Sequence, residues 1–451
     1  MPIDRSRLPA LGPEPAFTFP QIARRTLPNG MRVWTVEHRG LPVISALLLL
    51  PTGAADDPVD RPGLAAITGD LLDEGCGDLG ALELHEALGR MGTSLDTEVG
   101  SDATLLGLTM LERFAERGLA LLSDLAIRPR MEPREFDRVR ELRLNRLTQL
   151  RDVPSAVAER VFVQRLYGSH PYGHLSIGTE TSLSALTVDE VKAFHDTRYD
   201  PSFATLILVG DGSHDRLAAL GERAFAHWPA SAQRLPADRS TPAPPPPADR
   251  LVMVHRPGAA QSEIRIGHVS VSRATPDYHA LVTLNMILGG QFVSRINMNL
   301  REKKGYTYGA RTSFDLRRGA GPFVLQAGVQ LEATADAVKE AIGELEAIRG
   351  DRPVTGEELL LGRAALTRGY PRNFETGEQI ARGAAQLALY DLPDDYFSSF
   401  VPTVLSLTEA DLTRAAATYI HPERLLTVIV GDRDKVGPAL ETLGQPVLHV
   451  S

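Results

Sequence analysis

"LTVDEVKAFHDTRYDPSFATLILVGD" (residues 186–211) and "LTEADLTRAAATYIHPERLLTVIVGD" (residues 407–432) decide how this chain folds. They run in step at an offset of 432 − 211 = 221, which aligns Leu186 with Leu407, Thr187 with Thr408, Pro201 with Pro422 and Gly210 with Gly431. Each predicts a helix, a proline-containing turn, an apolar β-strand and a Gly-Asp stop. A second pair, "TMLERFAERGLALLSDL" (109–125) and "VQLEATADAVKEAIGEL" (329–345), repeats at an offset of 220. There Leu111 and Leu331 are expected to close a strand, with Glu112 and Glu332 leading into amphipathic helices. Constant offsets over such lengths indicate an internal duplication of one α/β unit of about 200 residues.

The boundary between the copies is "PASAQRLPADRSTPAPPPPAD" (229–249), in which seven of 21 residues are proline. Such a stretch forms neither a helix nor a central strand and stiffens toward polyproline II. The expected division is an N-terminal unit at 17–228, a linker at 229–249 and a C-terminal unit at 250–451. A chain of 451 residues with 43% hydrophobic side chains can bury cores of that number and size. Its net charge of −9 argues against a nucleic-acid surface. The single cysteine, Cys76, rules out an internal disulfide framework and a cysteine zinc cage, and reads as a buried spectator thiol. The opening "MPIDRSRLPALGPEPAFTFP" lacks the apolar core of a secretory signal. The longest apolar run, residues 44–50 with Ser45 inside it, is far short of the ~20 residues of a membrane span. The expected compartment is the cytoplasm, or the periplasm if a leader had been removed.

Within the first unit, "LPNGMRVWTV" sets Asn29-Gly30 between strand-like runs, the strongest short hairpin signal. Strands then alternate with long helices, one of them near 134–150. The expected fold class is α/β: two homologous domains, each a mostly antiparallel sheet with helices on one face, arranged like a clam.

"RPGLAAITGDLLDEG" (61–75) predicts a further helix, with Pro62 near its start and Leu64, Ile67, Leu71 and Leu72 on one face. Together with "LPNGMRVW", "PVISALLLLPTGAADDP", "GSHPYG" (168–173) and "LGGQFVSRINMNLREKKGYTYG" (288–309), it resembles the pitrilysin-type, inverted-motif zinc peptidases, in the branch of two-domain subunits that includes mitochondrial processing peptidase. The resemblance runs from about Thr26 to Asp432. In that family the helix would carry His-x-x-Glu-His; here the same places hold Ala66, Gly69 and Asp70. The resemblance implies a distal glutamate ligand about 75 residues later, where the chain has Asn145 and Arg146. A peptidase zinc needs three protein ligands and an open position for water. Ala66 and Gly69 offer no donor, so this chain is expected to hold no metal and to be inactive alone.

Other candidates give way to plainer readings. His170 and His174 in "HPYGH" are four apart, but Pro171 and Gly173 between them predict a loop. His85-Glu86 has Gly89 where a second histidine would be needed and reads as helix surface. Eight arginines against four acids between Arg128 and Arg151 read as a solvated helix face, with a wall for an acidic peptide as the alternative.

"LREKKGYTYG" keeps Arg301 and Tyr308. Taken alone, Arg301 reads as a surface helix residue and Tyr308 as a core aromatic. The resemblance implies instead that the Tyr308 hydroxyl donates to the oxyanion of a tetrahedral intermediate and that Arg301 holds a substrate carbonyl. Tyr306 is a near neighbour, and only the motif favours Tyr308 over it. The chain thus resembles the zinc-free member of a heterodimeric peptidase, with the zinc carried by a homologous partner and an extended peptide as substrate. "MGTSLDTEVGSDATLLGLT" (91–109) resembles the family's edge-strand region, where such a peptide would add a strand. The alternatives are a structural, core-subunit-like homologue and a peptide-binding homologue with no peptidase role.

Overall fold

Among the described residues, fourteen short strands form the frame. Those of the first half are β1 (Ile22–Thr26), β2 (Arg32–Glu37), β3 (Val43–Leu50), β4 (Gly75–Cys76), β5 (Leu79–Gly80), β6 (Asp96–Val99), β7 (Thr104–Leu111) and β8 (Thr205–Gly210). Those of the second are β9 (Leu251–His255), β10 (Gln261–Val269), β11 (Thr307–Phe314), β12 (Pro322–Gln330), β13 (Leu426–Gly431) and β14 (Val447–Val450). The computed structural model describes residues 16–232 and 241–450. The reading of residues 1–15 as free of a signal, and the middle of the proline-rich linker, lie outside the described residues.

The first sheet has the order β1-β2-β8-β3-β7-β6 and the second β11-β12-β10-β13-β9-β14. Read from opposite edges they are the same sheet: β2, β8, β3, β7 and β6 correspond to β9, β13, β10, β12 and β11. The edge position differs. β1 pairs antiparallel with β2, whereas β14 pairs parallel with β9. The 221-residue repeat appears as β8 and β13, each parallel to one neighbour and antiparallel to the other. The 220-residue repeat appears as β7 and β12, followed by the helices Ala115–Ile127 and Thr334–Ala347. Leu111 ends its strand as expected, while Leu331 opens the 3₁₀ turn just past β12. Asn29-Gly30 forms the β1–β2 turn, with Gly30 at φ 89° and the Asn29 amide donating to the Phe225 and Trp228 carbonyls.

Both faces of each sheet are covered, where the sequence suggested one. Leu206 and Leu208 of β8 point into the first core, and Ile207 and Val209 point the other way. What meets them is a helix of the second half, Gly377–Tyr390, through Ile380, Ala381, Ala384 and Ala385. In return the helix Pro154–Tyr167 of the first half covers β10 and β13, with Phe162 and Val163 against Val428 and Val430. The two halves thus exchange equivalent helices. Strands buried on both faces explain why β8 and β13 read as unbroken apolar runs instead of alternating.

A second tie is the "HPYG" loop, a succession of turns. Tyr172 Oη donates to Asp102 Oδ1 at 2.7 Å and accepts from Gly319 N at 2.9 Å, while Asp102 Oδ2 accepts from Arg318 N at 2.8 Å. This motif latches the halves together.

Buried His268 on β10 gives the fold a pH dependence. Its Nε2 accepts from His421 N at 3.1 Å, and burial pushes the imidazole down to about 4. In the unfolded chain a histidine titrates near ~6.5. Between those values the unfolded state binds a proton that the folded state refuses, so this stability is full above about pH 6.5 and is lost as pH falls toward 4. The loss is expected to reach about 3 kcal/mol. Denaturant midpoints at pH 7 and pH 4.5 check it: the gap should shrink in His268→Gln, and an unchanged gap would refute the assignment.

Candidate functional site

The helix that would carry a zinc motif spans Leu64–Asp70, shorter than the sequence suggested, because the chain turns at Leu71 and Leu72 toward β4. Both leucines still reach the core, each 0% exposed. The helix is started from a distance by Asp57, whose carboxylate accepts from Gly63 N and Ala65 N at 2.7 Å each. A negative group at a helix N-terminus is favourable. Burial raises the Asp57 carboxyl above the usual range, and His174, with Nε2 3.1 Å away, works against that rise. His174 is therefore the interior partner of a helix cap.

At the motif positions Ala66 is buried, and Gly69 lies so close to β6 that a Cβ there would sit 2.6 Å from Val99 Cγ2. Asp70 pairs with Arg143, whose side chain is only 11% exposed and which also donates to the Ser176 carbonyl at 2.8 Å. Asn145 is exposed on the same long helix, Pro133–Arg151. No zinc site fits here. Two of the four positions have no donor, and the one carboxylate is held by a permanently charged guanidinium where a third ligand would be needed.

The other half of the site is built at the edge of the second sheet. Arg301 lies in a π-helical turn, Met298–Lys303, and a second such turn, Met286–Gly290, stands beside it. Widened turns of this kind often mark functional positions. Gly289 permits the approach, since a Cβ there would lie 2.5 Å from Thr312 Oγ1 on β11. The β11–β12 pairing slips between Thr307 and Ala310, a bulge that carries Tyr308. Asn297 pins the strand just after the bulge, donating to the Ala310 carbonyl at 2.8 Å and accepting from its N–H at 2.9 Å. As a result Tyr308 is 88% exposed, whereas Tyr306 packs on the second core. The Arg301 guanidinium carbon stands 5.1 Å from the Tyr308 ring centroid and 4.4 Å from that of Phe292. These residues line an open cavity of about 560 Å³, and every residue lining it comes from the second half.

His255, Asp432 and Asp434 form a third cluster of possible ligands. Asp432 is already the cap of the helix Arg433–Leu440, accepting from Asp434 N and Gly258 N, and the Lys435 ammonium lies 3.9 Å away. His255 Nδ1 accepts from Arg433 N at 3.1 Å. The cluster is a helix cap.

Residues 185–366 match the family described as "Peptidase M16 inactive domain". An uncharacterised zinc protease of Mycobacterium leprae is 24% identical over 353 residues, covering 77% of this chain and 78% of that protein. The zinc protease PqqE of Helicobacter pylori is 23% identical over 422 residues, or 91% and 93% of the two chains. The crystal structure of a peptidase M16 inactive domain from Pseudomonas fluorescens shares the fold at a TM-score of 0.85 and 23% identity, covering 91% of this chain and 98% of that one. Along most of its length the chain is similar to pitrilysin-type (M16) peptidases.

The residues singled out in the sequence fall into two separate groups. Arg301 and Tyr308 meet; Ala66, Gly69 and Asp70 lie in the other half and do not line their cavity. Sequence reasoning missed Arg143, Phe292 and Asn297. The signal for Arg143 was present. It falls in the stripe of buried Phe136, Val139 and Leu147, four residues from two of them, where an arginine is out of place. Asn145 lies on the opposite, solvent face.

Proposed function

We propose that this chain is the zinc-free subunit of a two-chain M16 peptidase, supplying Arg301 and Tyr308 to a homologous subunit that carries the zinc. The observation that carries the reading is Tyr308 itself: a tyrosine displayed on a strand bulge, 88% exposed and stacked near Arg301, in a chain whose own zinc positions are filled by Ala66, Gly69 and an Asp70–Arg143 pair. Exposing a large aromatic serves folding little. It serves a partner or a substrate. The phenol would donate to the scissile carbonyl oxygen as charge develops on it, and the guanidinium would hold a neighbouring substrate carbonyl. The partner's zinc would supply the activated water.

The peptide would lie extended along β6, the edge of the first sheet, where Arg382 of the second half already pairs with Asp96 and Glu98 at 2.5 and 2.8 Å. The periplasmic protease PqqL of Escherichia coli supports pairing: it shares the fold at a TM-score of 0.79 and 16% identity over 94% of this chain but 47% of its own length, leaving room for a second unit in one polypeptide. Among the described residues no helix is long and apolar enough to cross a membrane. The cytoplasm is the proposed compartment, with the periplasm as the alternative.

Co-expression with a homologue bearing His-x-x-Glu-His tests the proposal. Size-exclusion chromatography should show one complex burying at least the ~1,200–2,000 Å² of a standard interface. Peptide cleavage should require both chains. Separate elution at micromolar concentration, or full activity of the zinc subunit alone, would refute it.

A further inference from the structure

Between the two halves lies a cavity of about 540 Å³, distinct from the Arg301–Tyr308 cavity. Leu49, Ala103 and Leu105 of the first half form one wall; Arg273, Tyr278 and Phe314 of the second form the other. We propose that it is a binding site for a carboxylate carried on an apolar body, with Arg273 as the counter-ion.

Arg273 is 5% exposed, and among the described residues its side chain makes a single hydrogen bond, Nη2 to Tyr396 Oη at 2.5 Å. No carboxylate pairs with it there. The guanidinium carbon stands 3.5, 4.8 and 5.7 Å from the ring centroids of Tyr278, Tyr396 and Tyr390, an aromatic cage that softens the burial of the charge without satisfying its remaining donors. Arg273 lines the cavity, and neither its Nε nor its Nη1 is sealed from it by surrounding atoms and left without access.

The acids that share the cavity are engaged elsewhere. Glu98 pairs with Arg382, Asp315 with Arg317, and Asp102 accepts from Tyr172 Oη and Arg318 N. A buried, permanently charged fork facing an empty-handed wall is the arrangement that takes a carboxylate in two parallel bonds. Leu49, Leu105, Val282, Phe314 and Leu389 would surround an apolar side chain or ring. The volume suits a small organic acid or the last residue or two of a peptide. Because both halves line it, such a ligand would bridge them.

Titration calorimetry on the full chain tests the site with N-acetyl-phenylalanine, its amide, and a short peptide ending in phenylalanine with a free or an amidated terminus. At least one free acid should bind with a Kd below about 10 mM, and its amide should bind about tenfold or more weakly. Binding by the small acid alone assigns the site to free acids; binding by the peptide assigns it to chain termini. Arg273→Met should lose binding while the ligand-free melting temperature holds or rises, since an uncompensated buried charge is removed. Ala103→Leu keeps the arginine and fills the cavity, so it should also lose binding, and it decides the matter should Arg273→Met fail to fold. Equal affinity for acid and amide, no binding by any free acid, or retained binding in Ala103→Leu would overturn the proposal.

Discussion

Tyr308→Phe is expected to lower kcat of the assembled complex by ~10²-fold or more while leaving assembly and peptide affinity close to wild type. The substitution removes one hydroxyl from a ring that is 88% exposed, so it costs the fold almost nothing. What it removes is a donor that acts mainly in the transition state, and such a loss appears in kcat rather than in KM. Arg301→Ala should differ. It removes a ground-state contact to a substrate carbonyl and also the cation stacked on Phe292 and Tyr308, so KM should rise as kcat falls. Tyr306→Phe, whose ring packs on the second core, should be nearly silent in catalysis. Steady-state kinetics on the three complexes decide. A wild-type kcat in Tyr308→Phe together with a crippled Tyr306→Phe would move the role to Tyr306. If both are silent in an active complex, the pair is architectural.

The zinc helix gives the second large effect. Rebuilding it as Ala66→His, Gly69→Glu and Asp70→His should bind no zinc and should cost about 2–5 kcal/mol of stability. A side chain at position 69 must displace Val99, whose Cγ2 lies 2.6 Å from where its Cβ would be. Removing Asp70 leaves Arg143, 11% exposed, without its carboxylate and with its charge where the metal would sit. Adding Arg143→Glu removes that charge and supplies the third ligand, so the fourfold variant should bind zinc one to one. Placing the glutamate at exposed Asn145 instead should not. Elemental analysis after gel filtration reads all three chains. Stoichiometric zinc in the triple variant, or in the Asn145→Glu version, would refute this account of the site.

Much of the fold was legible in the sequence because it rests on local patterns. The duplication, the Asn29-Gly30 turn, the long helix Pro133–Arg151 and the strands β8 and β13 follow from periodicity, turn chemistry and apolar runs. So did the emptiness of the metal helix, since alanine and glycine carry no donor in any fold. The opposite exposure of Tyr306 and Tyr308 was not legible, because residues two apart share a face on a regular strand; the bulge between Thr307 and Ala310 is what separates them.

The tertiary structure alone decided which sheet each helix covers. Gly377–Tyr390 and Pro154–Tyr167 each present an apolar face, but a face specifies only that something must cover it, and each sheet takes the other half's helix. It also decided that Asp70's partner is Arg143, that the "HPYG" loop is a latch, and that Arg273 faces a cavity with no acid to meet it. In each case the partners are tens to hundreds of residues apart in sequence. Periodicity fixes which way a side chain faces within its own element; what stands opposite is fixed only when two elements pack, and the chemistry of a site depends on that second fact.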